Sequence, residues 1–210
     1  MPREHKPPIL GIAGGIASGK SLVTEQLQRR GAAVVSADQA AHQVLELEEV
    51  KQLARKRWGE AIFAPDGRID RTALARIVFA PPPDGPRQRE FLEQLTHPRI
   101  GAVLRKQLEE LSADGGAAAI VLDVPLLFES GWNKICDKIF FVDAPRRLRE
   151  SRAMARGWTA EEFARREAAQ QPPETKRKLA DVVIDNSTTR EAAEAQVDAF
   201  WRSLVGPPHS

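Results

Sequence analysis

Short apolar runs recur along the chain, and between them apolar positions return every three or four residues. Ile9-Leu10-Gly11-Ile12-Ala13, Ala32 to Ser36, Ala117 to Val124, Lys138 to Val142 and Asp181 to Asp185 each have the length and bias of a buried strand. Leu22, Val23 and Leu27 follow the first run at helical spacing, and Ala40, Ala41, Val44 and Leu45 follow the second. From Asp38 to about Leu111 the pattern is helical, interrupted by the turn-forming clusters Pro65-Asp66-Gly67 and Pro81 to Pro86. A further helix is predicted over Arg190 to Leu204, with Ala193, Val197, Phe200, Trp201 and Leu204 as its core face. Strands alternating with helices predict an α/β three-layer fold: a five-stranded parallel sheet covered on both faces, with ligands at the carboxyl ends of the strands. The expected organisation is one unit, residues 1–210, whose core takes in about 8–37, 117–145 and 180–204. A helical insertion fills about 38–113, and a helical segment about 146–179.

Composition narrows the class. A chain of 210 residues that is 42% hydrophobic builds one substantial core with room for an inserted subdomain. A formal charge of +2 is too small for a dedicated nucleic-acid binder. Cys136 is the one cysteine, so no intrachain disulfide forms, and a small packed side chain is its expected role. Met1 to Pro8 is polar and proline-rich without the apolar centre of a signal peptide, and no run approaches membrane-spanning length. A soluble cytoplasmic protein with no membrane or nucleic-acid partner is expected, its oligomeric state left open.

Candidate chemistry begins at Gly14-Gly15-Ile16-Ala17-Ser18-Gly19-Lys20-Ser21, which fits GxxxxGKS and lies between the first strand and the first helix. Gly14, Gly15 and Gly19 are expected to take positive φ, so that amide N–H groups converge on phosphate oxygens, aided by the helix start near Gly19. Lys20 would reach the β and γ phosphates, and the Ser21 hydroxyl would ligate Mg²⁺. ATP with Mg²⁺ is the implied ligand. Asp123, at the end of the third run, is a second candidate for the metal, directly or through water. Asp38 is expected to end the second strand, beside the loop strand, where its carboxylate could take the proton of an incoming hydroxyl or orient it; the alternative is a helix N-cap.

The segment after the fourth run is basic: Arg146, Arg147, Arg149, Arg152, Arg156, Arg165, Arg166, Lys176, Arg177 and Lys178. Arg152 and Arg156, four apart, would share a helix face and grip polyphosphate, while any single arginine here reads as a solvated side chain. Gly157 and Pro172-Pro173 bracket a helix pair that could close as a lid. His97 has no second histidine or cysteine at ligand spacing, His42 reads as a helix-surface residue, and the four tryptophans read as packing. Asn133 to Asp137 imitates a guanine-reading NKxD, with one residue too many and ahead of its strand.

Taken together, GGIASGKS, Ser36-Ala37-Asp38, Gly67-Arg68-Ile69-Asp70-Arg71, LTHPRI from Leu95, VPLLFE from Val124 and ADVVIDN from Ala180 closely resemble the dephospho-CoA kinase family, in that family's order and over nearly the whole chain. The resemblance implies a P-loop kinase fold with a CoA-accepting helical insertion and a lid. It implies that ATP phosphorylates the ribose 3′-hydroxyl of dephospho-CoA, giving CoA and ADP. By that match Asp38 is the catalytic carboxylate, and Arg71, His97, Pro125, Leu126 and Phe128 line the acceptor pocket. Arg152 and Arg156 match the lid arginines, and Gln170 and Asn186 lie near the nucleotide. Gly15, Ile16, Ala17, Ser18, Gly19, Lys20, Ser21 and Leu22 form the nucleotide loop. The family usually has glycine at Ala17, threonine at Leu22 and Ala13, and acidic residues at Ser36 and Gly157. Alanine at position 17 is expected to require a loop that avoids the left-handed region there, and Leu22 removes a hydroxyl from the phosphate side.

Overall fold

The computed structural model describes residues 6–205, so the opening segment lies outside the described residues as far as His5. Five strands form one sheet: β1 (Ile9–Gly14), β2 (Ala32–Ser36), β3 (Ala119–Asp123), β4 (Lys138–Asp143) and β5 (Val182–Asp185). Their order across the sheet is β2-β3-β1-β4-β5, and β1 runs parallel to both β3 and β4, so β3 separates β2 from the loop strand it was expected to adjoin. The register sets Gly11 opposite Leu122 on one side and Ile139 on the other. A central strand with parallel neighbours is buried on both faces, which is why these runs are continuously apolar instead of alternating.

Nine α-helices complete the described chain: α1 (Lys20–Arg29), α2 (Ala37–Glu46), α3 (Glu48–Trp58), α4 (Arg71–Val78), α5 (Asp84–Asp114), α6 (Arg146–Met154), α7 (Ala160–Ala168), α8 (Pro173–Lys178) and α9 (Arg190–Val205). By contacts the chain divides into two compact units, one comprising residues 1–35 and 108–210, the other residues 36–107.

In the first unit, α1 and α9 lie side by side against the sheet. Leu10, Ile12, Val23, Leu27, Phe140, Val197 and Trp201 belong to the core between them, so the predicted face of the last helix is buried as its spacing requires. Burial and the neighbouring Asp137 carboxylate push the Cys136 thiol up to about 12. A Cβ on Gly11 would lie 2.8 Å from its sulfur, so Cys136 is a packed side chain and Gly11 a site of close approach. Asn133 falls in a single 3₁₀ turn, Trp132–Ile135, ahead of β4.

The second unit is helical, as its periodicity requires. Ile62, Leu74 and Val78 make one small core, and Val44, Val50 and Leu95 another. The Pro65-Asp66-Gly67 turn closes through a Phe63–Ile69 bridge, and Asp70 caps α4 by accepting from the Thr72 and Ala73 N–H groups. One boundary differs from expectation. The cluster Pro81 to Pro86 breaks the helical pattern only as far as Pro83, because Asp84 opens α5 and Pro86 falls in its first turn, where no N–H is needed. Helix α5 also continues through Pro98, and the Arg99 guanidinium donates to the Leu95 carbonyl (2.8 Å).

Candidate functional site

The glycine loop joins β1 to α1, and its shape follows from three residues. Gly14 and Gly19 have φ of 155° and 100°, values that a side chain would strain. The Ser18 N–H donates to the Gly15 carbonyl (3.1 Å), closing a turn with Ile16 and Ala17 at its centre. Ala17 has φ of 58°. A turn of this kind needs positive φ at its third residue, so the loop does not spare Ala17 the left-handed region, and the expectation is reversed. Gly15 also departs from expectation: it is absent from the positive-φ residues, and what its missing side chain provides is room for the Arg149 guanidinium, since a Cβ would lie 2.8 Å from an Arg149 nitrogen.

Beyond the loop, the first turn of α1 leaves N–H groups without intrahelical acceptors, at the positive end of the helix dipole. Lys20 curls back so that its ammonium donates to the Gly14 and Gly15 carbonyls, both at 3.3 Å. Burial lowers its pKa from the ordinary lysine value; the Asp123 carboxylate opposes the shift, and Lys176, Arg149 and Arg156 add to it. Ser21 is exposed at the helix start, and Leu22 packs its side chain against the sheet core. The Ser18 hydroxyl is buried with no partner.

A second layer fixes the loop from behind. The Asn186 amide, just past β5, donates to the Ser18 carbonyl (2.7 Å), and Arg152 donates to that same carbonyl (3.1 Å) and to the Asn186 carbonyl (3.0 Å). A Cβ on Gly19 would overlap the Asn186 amide, so the third loop glycine is demanded by space as well as by φ. Burial and the nearby Arg156 lower the Arg152 pKa. Arg152 and Arg156 do not share a helix face, because α6 ends at Met154 and Arg156 lies beyond the cap, its N–H turned back to the Ala153 carbonyl (3.0 Å). Its charge nonetheless reaches both Lys20 and Arg152.

Other residues of this unit had no clear signal in the sequence. Arg149 is 5% exposed, so the reading of each arginine here as solvated is wrong for it. Its guanidinium pairs with Glu167 at 2.7 Å. Lys176 is 3% exposed and pairs with Glu129 at 2.9 Å, while also donating to the Gln170 side chain (3.2 Å). Burial works against the Glu129 carboxylate, but Lys176 and the Gln171 N–H outweigh it and hold its pKa below the ordinary value. The one available cue was spacing, since Arg149 and Ala153 form the buried face of α6. Between Gly157 and Pro172 there is one helix, α7, where a pair was expected; α8 begins only at Pro173. Pro125, Leu126 and Phe128 lie in the turns that follow β3, with Leu126 exposed.

Three predicted site residues belong to the second unit. Asp38 is exposed in the first turn of α2, two residues beyond the end of β2, so it does not itself end the strand. It is not the cap either: the Ser36 hydroxyl fills that role, accepting from the Gln39 N–H (3.5 Å). Arg71, the first residue of α4, lines an open groove of about 380 Å³ with His42, Gln43, Glu46 and Arg68, while His97 is exposed on α5 and is not among the groove residues. Among the described residues no group of three or more His, Cys, Asp or Glu could hold a metal by itself, and no helix is long and apolar enough to cross a membrane.

A loop backed by cations at the carboxyl end of a parallel strand is the arrangement of a phosphate-binding enzyme, and comparison with known proteins fixes which one. The family model for dephospho-CoA kinase matches residues 8–191. The chain belongs to the dephospho-CoA kinase family. A dephospho-CoA kinase of Carboxydothermus hydrogenoformans is 42% identical over 193 residues, covering 90% of this chain and 91% of that one. Another, from Symbiobacterium thermophilum, is 40% identical over 200 residues, 94% of this chain and 82% of that one. A crystal structure from Thermus thermophilus, TT1252, superposes with a TM-score of 0.75 at 37% identity, over 95% of this chain and 99% of that one. The dephospho-CoA kinase from Campylobacter jejuni shares the fold, with a TM-score of 0.71 at 24% identity over 95% and 98% of the two chains. The five-stranded parallel sheet expected from the apolar runs is thus the sheet of a dephospho-CoA kinase.

Proposed function

We propose that this chain transfers the γ-phosphoryl group of ATP to the ribose 3′-hydroxyl of dephospho-CoA, releasing CoA and ADP. The observation that carries the reading is the convergence of positive charge on the loop: Lys20 donates to the Gly14 and Gly15 carbonyls, Arg149 to the Ile16 carbonyl and Arg152 to the Ser18 carbonyl. Transfer of a phosphoryl group needs little covalent help from the protein, so position and charge are the means of catalysis. In this reading residues 15 to 22 hold the nucleotide phosphates, with Asn186 and Arg152 keeping the loop in shape. Lys20 and the lid residues Arg152 and Arg156 stabilise charge as it moves toward the leaving group.

Asp38 takes the acceptor role, accepting or orienting the 3′-hydroxyl. Its support is its station just past the carboxyl end of β2, the edge at which parallel sheets bind ligands. Arg71, His97, Pro125, Leu126 and Phe128 form the acceptor pocket, residues 38–113 the acceptor-binding region and residues 146–179 the lid. Ser21 and Asp123 suit Mg²⁺, since both offer the hard oxygen donors that ion prefers and Asp123 already bears on Lys20. Bound there, Mg²⁺ supplies charge neutralisation for the phosphate oxygens. A cytoplasmic location accompanies this reading.

The test is acceptor choice. Purified protein is incubated with MgATP and, separately, dephospho-CoA, nucleoside monophosphates and shikimate, with phosphorylated products separated by chromatography. Rapid phosphorylation of dephospho-CoA alone is expected. Equal or faster turnover of another acceptor overturns the proposal.

A further inference from the structure

Arg149 touches three parts of the first unit at once. Its Nε donates to the Ala144 carbonyl at the end of β4 (3.1 Å), and its Nη1 donates to the Ile16 carbonyl in the middle of the glycine loop (3.4 Å). The same nitrogen pairs with the Glu167 carboxylate on α7 at 2.7 Å. Stacking near Phe163, also on α7, places the guanidinium 5.7 Å from the ring centre. The absence of a side chain at Gly15 is what lets this group lie against the loop. The contacts draw on Nε, on Nη1 and on the face of one planar, pre-organised cation, a geometry lysine does not reproduce.

We propose that Arg149 is a positioning residue that holds the glycine loop in its phosphate-binding shape, and that Glu167 on α7 acts on the loop through it. The loop carbonyl at Ile16 must point away from incoming phosphate for the neighbouring N–H groups to point toward it, and Arg149 is the donor on its outer side. Glu167 fixes the direction of that donor. Glu167 Oε1 is buried with the Arg149 ion pair as its contact, while Oε2 accepts from the Arg146 Nε (3.0 Å), a second tie from α7 to α6 that does not touch the loop. Helix α7 and the loop are therefore coupled: what orders one orders the other. Burial works against the Glu167 carboxylate, yet Arg149 and Arg146 keep its pKa below the ordinary value, so the pair persists at neutral pH.

This inference rests on the reading that the loop binds nucleotide, and the experiment separates the two. MgATP affinity is measured by calorimetry on folded wild type, Arg149→Gln, Arg149→Lys, Glu167→Gln and the double variant Arg149→Gln/Glu167→Gln, with KM for ATP, KM for dephospho-CoA and kcat from initial rates. Arg149→Gln is expected to weaken ATP binding about tenfold, the size of one lost charge-assisted hydrogen bond, with KM for dephospho-CoA changed less than twofold. Arg149→Lys keeps the charge and does not rescue. Glu167→Gln weakens ATP binding roughly threefold, and the double variant is no weaker than Arg149→Gln alone, because Glu167 has then lost its route to the loop. Additive losses, rescue by lysine, or an ATP affinity equal to wild type in Arg149→Gln each overturn the inference. Failure of the wild type to bind MgATP overturns the nucleotide reading itself.

Discussion

Ala17 offers a direct test of the loop backbone. With φ of 58° it occupies the left-handed region, which costs a residue with a side chain about 1–2 kcal/mol. Ala17→Gly removes that cost but frees the unfolded chain by about 0.4–1 kcal/mol. It also gives up the burial of a half-exposed methyl, a few tenths of a kcal/mol. The balance is a net stabilisation of about 0.5 kcal/mol, or roughly 1–2 °C in the melting temperature of a chain this long. Ala17→Val moves the other way, since a β-branched residue tolerates this region worst, and is expected to cost about 1 kcal/mol or more, ~2–4 °C. Thermal unfolding of the three proteins, followed by circular dichroism at one scan rate without nucleotide, should rank them glycine, alanine, valine. A glycine variant melting below the parent, or a valine variant melting with it, would refute the argument.

Three other outcomes follow from the site. Lys20→Ala is expected to lower kcat about 10²–10³-fold in a coupled ADP assay, and near-normal turnover would mean that the loop does not hold the transferring phosphate. Asp38→Asn should reduce kcat ~10²–10⁴-fold while leaving the calorimetric ATP affinity within about threefold, because it alters the acceptor and not the nucleotide; parallel losses in both would point to a structural role. Glu129→Gln strips the partner from buried Lys176 and should cost about 3 kcal/mol in urea unfolding at pH 7. Since the folded Glu129 pKa lies below its ordinary value of 4.5, that contribution is complete above pH 4.5 and disappears as pH falls through the lower, folded value. The gap between wild type and variant should therefore close in acid, and a gap that is constant from pH 7 down to pH 3 would contradict the assignment.

The sheet was legible because parallel strands buried on both faces leave unbroken apolar runs, and each of the five strands lies within its run to one residue, Gly14 and Asp143 being the two strand ends beyond. The GxxxxGKS spacing likewise located the loop, since a phosphate turn needs small residues at fixed intervals before a helix. What the sequence did not disclose depends on contacts far apart in the chain. Arg149 looked like one more surface arginine because its partners, Ile16 and Glu167, are distant from it in sequence. Gly15 and Ala17 were misread for a related reason, as local preference cannot tell a glycine required by a neighbouring guanidinium from one required by φ. Helix ends were also misplaced by propensity: Ser36 and not Asp38 caps α2, and α6 stops before Arg156. In both cases the boundary moved by only two residues.

The most direct test of the central claim is a ³¹P NMR time course of the purified protein with equimolar MgATP and dephospho-CoA. The account predicts that a new 3′-phosphomonoester signal grows in step with ADP, one for one. Growth of inorganic phosphate with no new phosphomonoester would contradict it.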